Sequence, residues 1–560
     1  MKPFLAIFCQ LVIATSPALA TSRPTTAEKG MVVSQNAIAS QVGVDILSEG
    51  GSAIDAAVGT AFALAVVHPA AGNIGGGGFL VYRPNEGEPV AYDFRERAPA
   101  AATRDMWLVN GTYDSTRHHQ NHLAVGVPGT VAGLHLAWEN EGKLPWKRLV
   151  EPAIKLAEAG FVVSHELSTS LKRVLPRVKK YPASVAAFSK DGVPYEPGET
   201  LRQRDLARAL RRIAEHGPDG FYTGETAKLV AAEMEANGGI ITLKDLKNYK
   251  AVLRKPIRGT YRGHEIISMP PPSSGGTALV QMLNTLEGYD LAASGFGSAE
   301  NYHRYAESMR HAFADRALHL GDPDANPNMP LERLTSKVYA GQIRSTIDPR
   351  KAGKSSPAKF EWPHESNETT HFSVVDAHRN AVSLTYTLEW SYGSGIVVPG
   401  AGFLLNNEMG DFNPALGMTT AKGHIGTPPN LTAPGKRMLS SMTPTIVSKD
   451  GNLLMVTGTP GGRTIINTVL QTILNVVDFG MNAQEAVDAG RMHHQWLPDR
   501  IAVERRKFSP DTLHILRGFG HDITEISSQG VAEVIVVDPK TGQLSGGSDR
   551  RVADGAAVGY

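Results

Sequence analysis

The sequence contains a single cysteine, Cys9. One thiol excludes a disulfide within the chain, and it excludes cysteine-based zinc and iron–sulfur sites. The chain also has no excess of charge of one sign, because 56 Lys and Arg residues face 55 Asp and Glu residues. The charge balance therefore gives no indication of a nucleic acid or an anionic membrane surface as a partner.

Long hydrophobic runs are also missing. The uncharged run 56–67 is too short to cross a bilayer and is typical of a buried helix. At the N-terminus, Lys2, the mostly apolar run 4–13 and the small residues Ala18 and Ala20 predict a secretory signal peptide over residues 1–20. Its removal would also remove Cys9, and it predicts a periplasmic or secreted protein.

Several standard catalytic motifs are absent. The sequence has no His-Glu-x-x-His, no Gly-x-Ser-x-Gly and no Walker A lysine, and the glycines at 75–78 lack dinucleotide-binding spacing. Two histidine groups, 118/119/122 and 493/494, have no carboxylate spaced to complete a metal site. We therefore expect no metal and no organic cofactor.

The pattern along the chain mixes helices and strands. Helical spacing occurs over 35–69, 147–160, 201–215, 223–237, 277–286 and 299–319. Residues 322–368 are rich in Pro, Asn, Lys and Ser and predict a linker. Strands are predicted over 370–376 and 381–389 around a tight turn at 377–380, and over 453–456 and 533–537. The glycines at 461–462 precede a helix with apolar residues on one side.

The most informative stretch is Thr369-Thr370-His371-Phe372-Ser373-Val374-Val375-Asp376, where a threonine begins a strand after the linker. By itself this is only a β-branched residue at a strand start. Together with the segments at 93–96, 126–130, 404–412, 439–444, 460–462 and 554–560, however, it resembles the γ-glutamyltranspeptidase family. These motifs span essentially the whole mature chain.

The resemblance implies an α+β fold, the four-layer αββα sandwich of the N-terminal nucleophile hydrolases, formed jointly by two fragments. An inactive precursor would cut itself between Glu368 and Thr369. The expected products are a large subunit over 21–368 and a small catalytic subunit over 369–560, which remain together as a heterodimer. Cleavage would free an α-amine with a pKa of about 7.7–8.0, which can act as the base for the Thr369 hydroxyl.

Further site residues follow from the resemblance. Thr387 matches the threonine that orients the nucleophile, and Gly461 and Gly462 match the donors of the oxyanion hole. The residues that match binders of the γ-glutamyl α-carboxylate are Arg95, Ser440 and Ser441. Those that match binders of its α-ammonium are Glu408 and Asp411.

Two positions depart from the family pattern. Glu389 stands where the family usually has Asn, so three carboxylates would face one cation unless the Glu389 side chain rotates away. We also expect Thr385, Thr387 and Glu389 to alternate on one strand face. The segment 413–435, in the place of a lid loop, has no Tyr where many bacterial members have one. Both departures bear on donor specificity.

The expected activity is γ-glutamyl transfer and hydrolysis, with glutathione as the donor and water, an amino acid or a dipeptide as the acceptor. Two alternatives remain open at the level of sequence. The same self-cleaving fold could act on another acyl donor, as cephalosporin (glutaryl) acylases and poly-γ-glutamate depolymerases do. An uncleaved, inactive envelope binding protein is the other.

Overall fold

The computed structural model describes residues 22–356 and 369–560. The predicted signal peptide and Glu368, on one side of the predicted cleavage bond, lie outside the described residues. Among the helices within these two ranges, none combines the length and apolar character that a bilayer span requires.

Two seven-stranded sheets form the centre of the protein, and every strand in them pairs antiparallel with its neighbours. The first sheet consists, in spatial order, of Thr25–Ala27, Leu544–Ser548, Glu533–Val537, Asn452–Gly458, Thr445–Lys449, His264–Ser268 and Ile257–Tyr261. The second consists of Val252–Arg254, Val90–Phe94, Gly77–Arg83, Ala381–Thr387, Thr370–Val375, Met31–Ser34 and Ala556–Gly559.

The two sheets pack face to face, and helices cover both outer faces. The helices on the side of the first sheet are Gly275–Leu286, Ala299–His319 and Thr464–Val477. Those on the side of the second are Ala37–Ser48, Ala53–Val67, Thr130–Glu141, Trp146–Ala159 and Arg204–His216. The predicted four-layer αββα sandwich is therefore confirmed.

The remaining elements decorate this sandwich. The further helices are Ser115–His119, His165–Val178, Pro182–Phe188, Asp219–Tyr222, Gly224–Ala236, Leu243–Asn248, Leu291–Ser294, Leu331–Leu334, Lys337–Thr346, Ala483–Asp488 and Pro510–Gly518. Single 3₁₀ turns occur at His122–Ala124, Glu408–Asp411 and Pro428–Asn430. The short strands are Leu108–Val109, Thr112–Tyr113, Phe161–Val162, Ser189–Lys190, Val193–Pro194, Thr200–Leu201, Met492–His493, Ile501–Glu504 and Ile523–Ile526.

The hairpin that carries the candidate nucleophile lies in the middle of the second sheet. Its strands Thr370–Val375 and Ala381–Thr387 pair from Thr370 opposite Tyr386 onward. The tight turn between them is confirmed, because Asp376 Oδ1 accepts hydrogen bonds from the backbone amides of 378 and 380. Neighbours on both sides hold this hairpin rigidly, which suits a catalytic residue at its end.

Two predicted segments differ from the structure. The helical region 35–69 is two helices, because Ser52 begins a new one with a capping box in which it exchanges hydrogen bonds with Asp55. The linker predicted over 322–368 is wrong in part, since Lys337–Thr346 is a helix capped by Ser336. Its buried face rests on only Ala340 and Ile343, which is too weak a periodic signal to detect.

Candidate active site

Thr369 lies directly before the strand Thr370–Val375 and is buried. Its Oγ1 donates a hydrogen bond to Thr387 Oγ1 at 3.5 Å. Thr387 ends the adjacent strand, and its Oγ1 also accepts the Glu389 backbone amide at 2.9 Å. The sandwich therefore places the predicted nucleophile beside the threonine predicted to orient it.

A histidine lies next to this pair but is not a base for it. His371 Nδ1 is 2.8 Å from Thr385 Oγ1, and its Nε2 is 3.1 Å from Ser373 Oγ. Complete burial lowers the pKa of His371 to about 3, so the ring is neutral at physiological pH. Its hydrogen bonds join neighbouring strand residues, which indicates a structural role.

The two predicted oxyanion glycines form the turn between the strand Asn452–Gly458 and the helix Thr464–Val477. Gly461 has φ +131° and Gly462 has φ +55°, and a Cβ on Gly461 would lie 2.5 Å from Thr464 Oγ1. Other residues would be strained there. Within the two described ranges, neither glycine amide donates a hydrogen bond, so both are available to an incoming oxygen.

Arg95 is the centre of a buried charge cluster. Its guanidinium forms ion pairs with Glu408 and Asp411 and lies 3.8 Å from Glu96. Its Nε also donates to the Met438 carbonyl at 3.2 Å. One cation thus meets three carboxylates in a region with little access to water.

The pKa values follow from this crowding. Burial opposes the charged form of Arg95, but Glu408 and Asp411 outweigh it and raise the pKa of the guanidinium. Burial raises the pKa of Glu96 to about 8 despite the opposing attraction of Arg95. Burial, with Glu96 and Asp411 nearby, also raises the pKa of Glu408 well above its usual range. These carboxyl groups therefore carry less negative charge than their number in the sequence suggests.

Hydrogen bonds from neighbouring residues hold the two predicted carboxylate-binding serines, Ser440 and Ser441, in place. Arg316 donates to Ser441 Oγ at 3.0 Å, and the Ser440 carbonyl accepts the Ser274 amide at 2.8 Å. Ser440 Oγ accepts the Met442 amide at 3.1 Å. Their hydroxyl groups therefore line the pocket from a rigid loop.

A single pocket brings nearly all predicted site residues together. Its lining contains Arg95, Thr369, Thr387, Glu389, Glu408, Asp411, Ser440, Ser441, Met442, Gly462 and Ile465. Gly461 is the residue before this lining, and Glu368 lies outside the described residues. We call this cavity the charged pocket.

The structure corrects one detail of the expected geometry. The strand ends at Thr387, and Glu389 has a positive φ of +76° beyond its end. The expected alternation on one strand face therefore holds for Thr385 and Thr387, which both lie in the strand, and is wrong for Glu389. Glu389 reaches the charged pocket through this bend instead.

A second cavity has a volume of about 570 Å³, and among the described residues Thr369 is the one that its lining shares with the charged pocket. Arg173, Arg177 and Gln35 are part of its lining. Gln35 is buried, and its Oε1 has no hydrogen-bond partner among the described residues. The predicted nucleophile, Thr369, is thus common to the linings of two cavities, of which one is small and charged and the other is large.

The contact of His119 with Glu389 and the stacking of its ring on Trp390 were not predicted from the sequence. His119 Nδ1 lies 3.4 Å from Glu389 Oε1, and its ring stacks on Trp390 with a 5.4 Å separation of centroids. In the sequence, the adjacent histidines at 118 and 119 indicate at most possible metal ligands. No local pattern marks this contact, since the room that Gly410 leaves for the His119 ring is recognisable only in the folded chain.

One group of possible metal ligands lies elsewhere in the described part of the chain. Atoms of His303, Glu307 and His521 lie within 4.8 Å of one another. His303 Nδ1 is 2.8 Å from His521 Nε2, and its Nε2 is 2.7 Å from the Asp348 carbonyl. Glu307 accepts the Gly353 amide. These contacts attach the segment 348–353 to the rest of the protein.

Comparison with known proteins identifies the relatives of this chain. The family model for gamma-glutamyltranspeptidase matches residues 39–559. A glutathione hydrolase proenzyme from Escherichia coli (strain K12) is 50% identical over 545 residues, covering 96% of this chain and 93% of that protein.

Two solved structures are also similar. Cephalosporin acylase from Bacillus halodurans superimposes with a TM-score of 0.85 at 28% identity and covers 98% of both chains. A chain of Helicobacter pylori gamma-glutamyltranspeptidase superimposes with a TM-score of 0.57 at 45% identity. It covers 60% of this chain and 95% of its own length.

Proposed function

Since this chain belongs to the γ-glutamyltranspeptidase family, we propose that it is a precursor that cuts itself between Glu368 and Thr369. The chain is a γ-glutamyltransferase and glutathione hydrolase of the N-terminal nucleophile class. The observation that carries the residue assignment is the position of Thr369, which is buried beside Thr387 at the junction of the two cavities.

The proposed chemistry starts at the Thr369 hydroxyl. The α-amine released by cleavage takes the hydroxyl proton, and Oγ1 forms a bond to the γ-carbonyl carbon of the donor. The carbon–nitrogen bond then breaks, and the amine returns the proton to the leaving amine. The result is a γ-glutamyl ester on Thr369. Thr387, 3.5 Å away, orients the attacking oxygen.

The tetrahedral oxygen in this step points toward Gly461 and Gly462. Their amides lie at the start of the helix Thr464–Val477, where the helix dipole favours negative charge. Preorganised donors of this kind lower the barrier by about 3–4 kcal/mol each in comparable sites. The assignment is supported by the finding that, within the two described ranges, neither amide donates a backbone hydrogen bond.

The charged pocket fits the zwitterionic α-centre of a γ-glutamyl group. Arg95, with Ser440 and Ser441, would bind the α-carboxylate, and Arg can do so bidentately. Glu408 and Asp411 would bind the α-ammonium. Arg95 forms ion pairs with these two carboxylates. A bound zwitterion would supply the same two charges between them, so no charge is left buried and unpaired.

The larger cavity offers room for the leaving group and the acceptor. An acyl group held in the charged pocket must expose its ester toward this cavity, because Thr369 is where the two meet. The cationic residues Arg173 and Arg177 suit an amino acid or dipeptide with a carboxylate. Water entering by the same route would give hydrolysis.

We also propose two fragments, of 348 residues for 21–368 and 192 for 369–560, which remain together as a heterodimer. The Helicobacter pylori chain supports this, since it covers 60% of this chain and nearly all of itself. A periplasmic or secreted location rests on the N-terminal sequence pattern over 1–20.

A second candidate activity is that of a related acylase. The likeness to Bacillus halodurans cephalosporin acylase over 98% of the chain favours it. The pocket argues against it, because a glutaryl group has no ammonium to offer Glu408 and Asp411. The excess of carboxylates around Arg95 favours a donor that brings a positive charge.

The test is release of 4-nitroaniline from γ-glutamyl-4-nitroanilide by the mature protein. We expect release by the wild type and none by Thr369→Ala, which should also remain uncut on a denaturing gel. Wild-type protein that is cut before Thr369 but releases nothing would contradict the γ-glutamyl assignment. Release from glutaryl-4-nitroanilide alone would establish the acylase instead.

A further inference from the structure

The Glu389 carboxylate is contacted by side chains from two separate parts of the chain, Asn407 and His119. Its Oε2 accepts a hydrogen bond from the Asn407 side-chain amide, and its Oε1 faces His119 Nδ1 at 3.4 Å. Asn407 in turn donates to the His119 carbonyl at 3.2 Å and accepts the Trp390 amide at 3.1 Å. The carboxylate is therefore fixed at the edge of the charged pocket and does not swing freely.

The imidazole of His119 has contacts of its own on one ring face and near both ring nitrogens. It stacks nearly parallel on Trp390, with 7° between the ring planes, and its Nε2 lies 3.4 Å from the Tyr113 hydroxyl. Burial, with Glu389 nearby, raises the pKa of Tyr113 above its usual range, so the phenol keeps its proton and can donate it. Nδ1–H then faces Glu389. This tautomer serves both contacts.

Gly410 shows that the chain makes room for this ring. A Cβ built on Gly410 would clash with His119 Nδ1 and would lie 3.2 Å from Glu389 Oε1. The conformation of Gly410 does not require glycine, because its φ is not positive. The constraint is therefore the ring itself. Gly410, His119 and Glu389 are thus matched to one another in the folded chain.

Electrostatics explains what such an arrangement can do. Glu389 is a fourth carboxylate in a pocket wall where Arg95 already meets Glu96, Glu408 and Asp411. A donor N–H of the imidazole offsets part of its charge on the side away from the donor site. The carboxylate can then face a cation bound in the pocket without adding its full repulsion to that of Glu408.

We propose that His119 is a positioning residue for Glu389: its ring holds this carboxylate, which stands where the family usually has Asn, toward the α-ammonium of a bound donor. This inference rests on the proposed γ-glutamyl activity, and it assigns contact with the donor α-ammonium to the part of the charged pocket that Glu389 lines. A carboxylate makes a stronger hydrogen bond to an ammonium than an amide does. The pair therefore makes the enzyme more dependent on the donor's positive charge.

The experiment compares kcat/KM for γ-glutamyl-4-nitroanilide and glutaryl-4-nitroanilide, which differ only in the α-amine. We expect Glu389→Gln to lower the ratio of the two values by about tenfold, the change for one charge-assisted hydrogen bond. The change should appear in KM for the γ-glutamyl donor, with kcat within about twofold. His119→Gln should lower the ratio by about threefold, again through KM.

Gly410→Ala provides a second route to the same effect, since its methyl group would displace the His119 ring. The methyl group would also lie 3.2 Å from Glu389 Oε1, so His119→Gln is the variant that isolates the ring. The matched control is His122→Gln. His122 also pairs with a glutamate, Glu233 at 2.9 Å, but neither residue lines the charged pocket. The ratio for this variant should equal that of the wild type.

Two results would overturn the proposal. An unchanged ratio in Glu389→Gln, in protein shown by gel to be fully cut, means that this carboxylate does not read the ammonium. A ratio changed in Glu389→Gln but not in His119→Gln or Gly410→Ala removes the positioning role. Failure of the γ-glutamyl activity itself is distinguished from both, because the wild type would then release no chromophore from the γ-glutamyl donor.

Discussion

At the scale of single residues, the charged pocket depends on where protons sit among its carboxyl groups. Glu96 lies 3.8 Å from the Arg95 guanidinium, and burial raises its pKa to about 8. It is therefore mostly protonated at neutral pH and loses its proton as the pH rises through about 8. Above that pH a new negative charge competes with the donor α-carboxylate for Arg95.

The loss of the Glu96 proton above about pH 8 gives a prediction for alkaline pH. KM for a γ-glutamyl anilide should rise in the wild type as the pH increases from 7 to 9, and Glu96→Gln should remove most of that rise. The α-amine of Thr369 titrates in both proteins, so the difference between their profiles isolates Glu96. Glu141→Gln is the control, because burial also raises the pKa of Glu141 but this residue does not line the pocket. Parallel profiles for wild type and Glu96→Gln would refute the assignment.

The role of Thr387 is also open to a matched test. Thr387→Val removes the hydroxyl that contacts Thr369 Oγ1 and keeps the shape, and we expect kcat to fall by about 10–100-fold with little change in KM. Thr385→Val, two residues earlier on the strand, instead removes the partner of His371. It should lower the melting temperature and leave kcat nearly unchanged. Equal kcat values in the two variants would contradict an orienting role for Thr387.

At the scale of elements, sequence reasoning found what local patterns determine. The hairpin around 376–381 and the glycine turn before Thr464 were predictable, since both depend on residues close in sequence. The bend at Glu389 could not be predicted. Glu389 has a backbone conformation with positive φ, and its side chain contacts Asn407 and His119, which are distant in sequence. Tertiary contacts of this kind override strand alternation.

Residues 348–355, which precede the predicted cleavage site, are held to the rest of the protein by a small group of hydrogen bonds. His303 contacts the Asp348 carbonyl and His521, Glu307 accepts the Gly353 amide, and Asp499 accepts two hydrogen bonds from Ser355. Sequence spacing on the helix places His303 and Glu307 together. Their partners lie between 45 and 218 residues further along the chain, so no local pattern predicts these contacts.

Loss of one partner should loosen this segment. We expect His521→Ala to increase the rate at which trypsin cuts after Arg350, Lys351 and Lys354 by several-fold, since local opening becomes easier when a buried hydrogen bond is lost. Peptide mass spectrometry over a time course measures it. His514→Ala, an exposed histidine on the neighbouring helix, should leave the rate unchanged. Equal rates in all three proteins would show that the histidine pair does not fasten the segment.

At the scale of the whole molecule, the two predicted fragments are interleaved within both sheets. In the second sheet, the strands Ala381–Thr387 and Thr370–Val375 lie between Gly77–Arg83 and Met31–Ser34. In the first, four strands from residues 445–548 lie between Thr25–Ala27 and His264–Ser268. The family resemblance predicted a joint sandwich, but this order comes from long-range pairing that no local pattern encodes.

Interleaving predicts how the cut protein behaves. Separating the fragments would expose rows of unpaired backbone N–H and C=O groups and both apolar layers, so we expect them to separate only on global unfolding. On size-exclusion chromatography the cut protein should elute as one species of about 60 kDa or a multiple of it, in low and in 1 M salt alike. A denaturing gel of that peak should show both fragments. Because the apolar layers and not surface ion pairs hold them together, dissociation by salt alone would contradict this architecture.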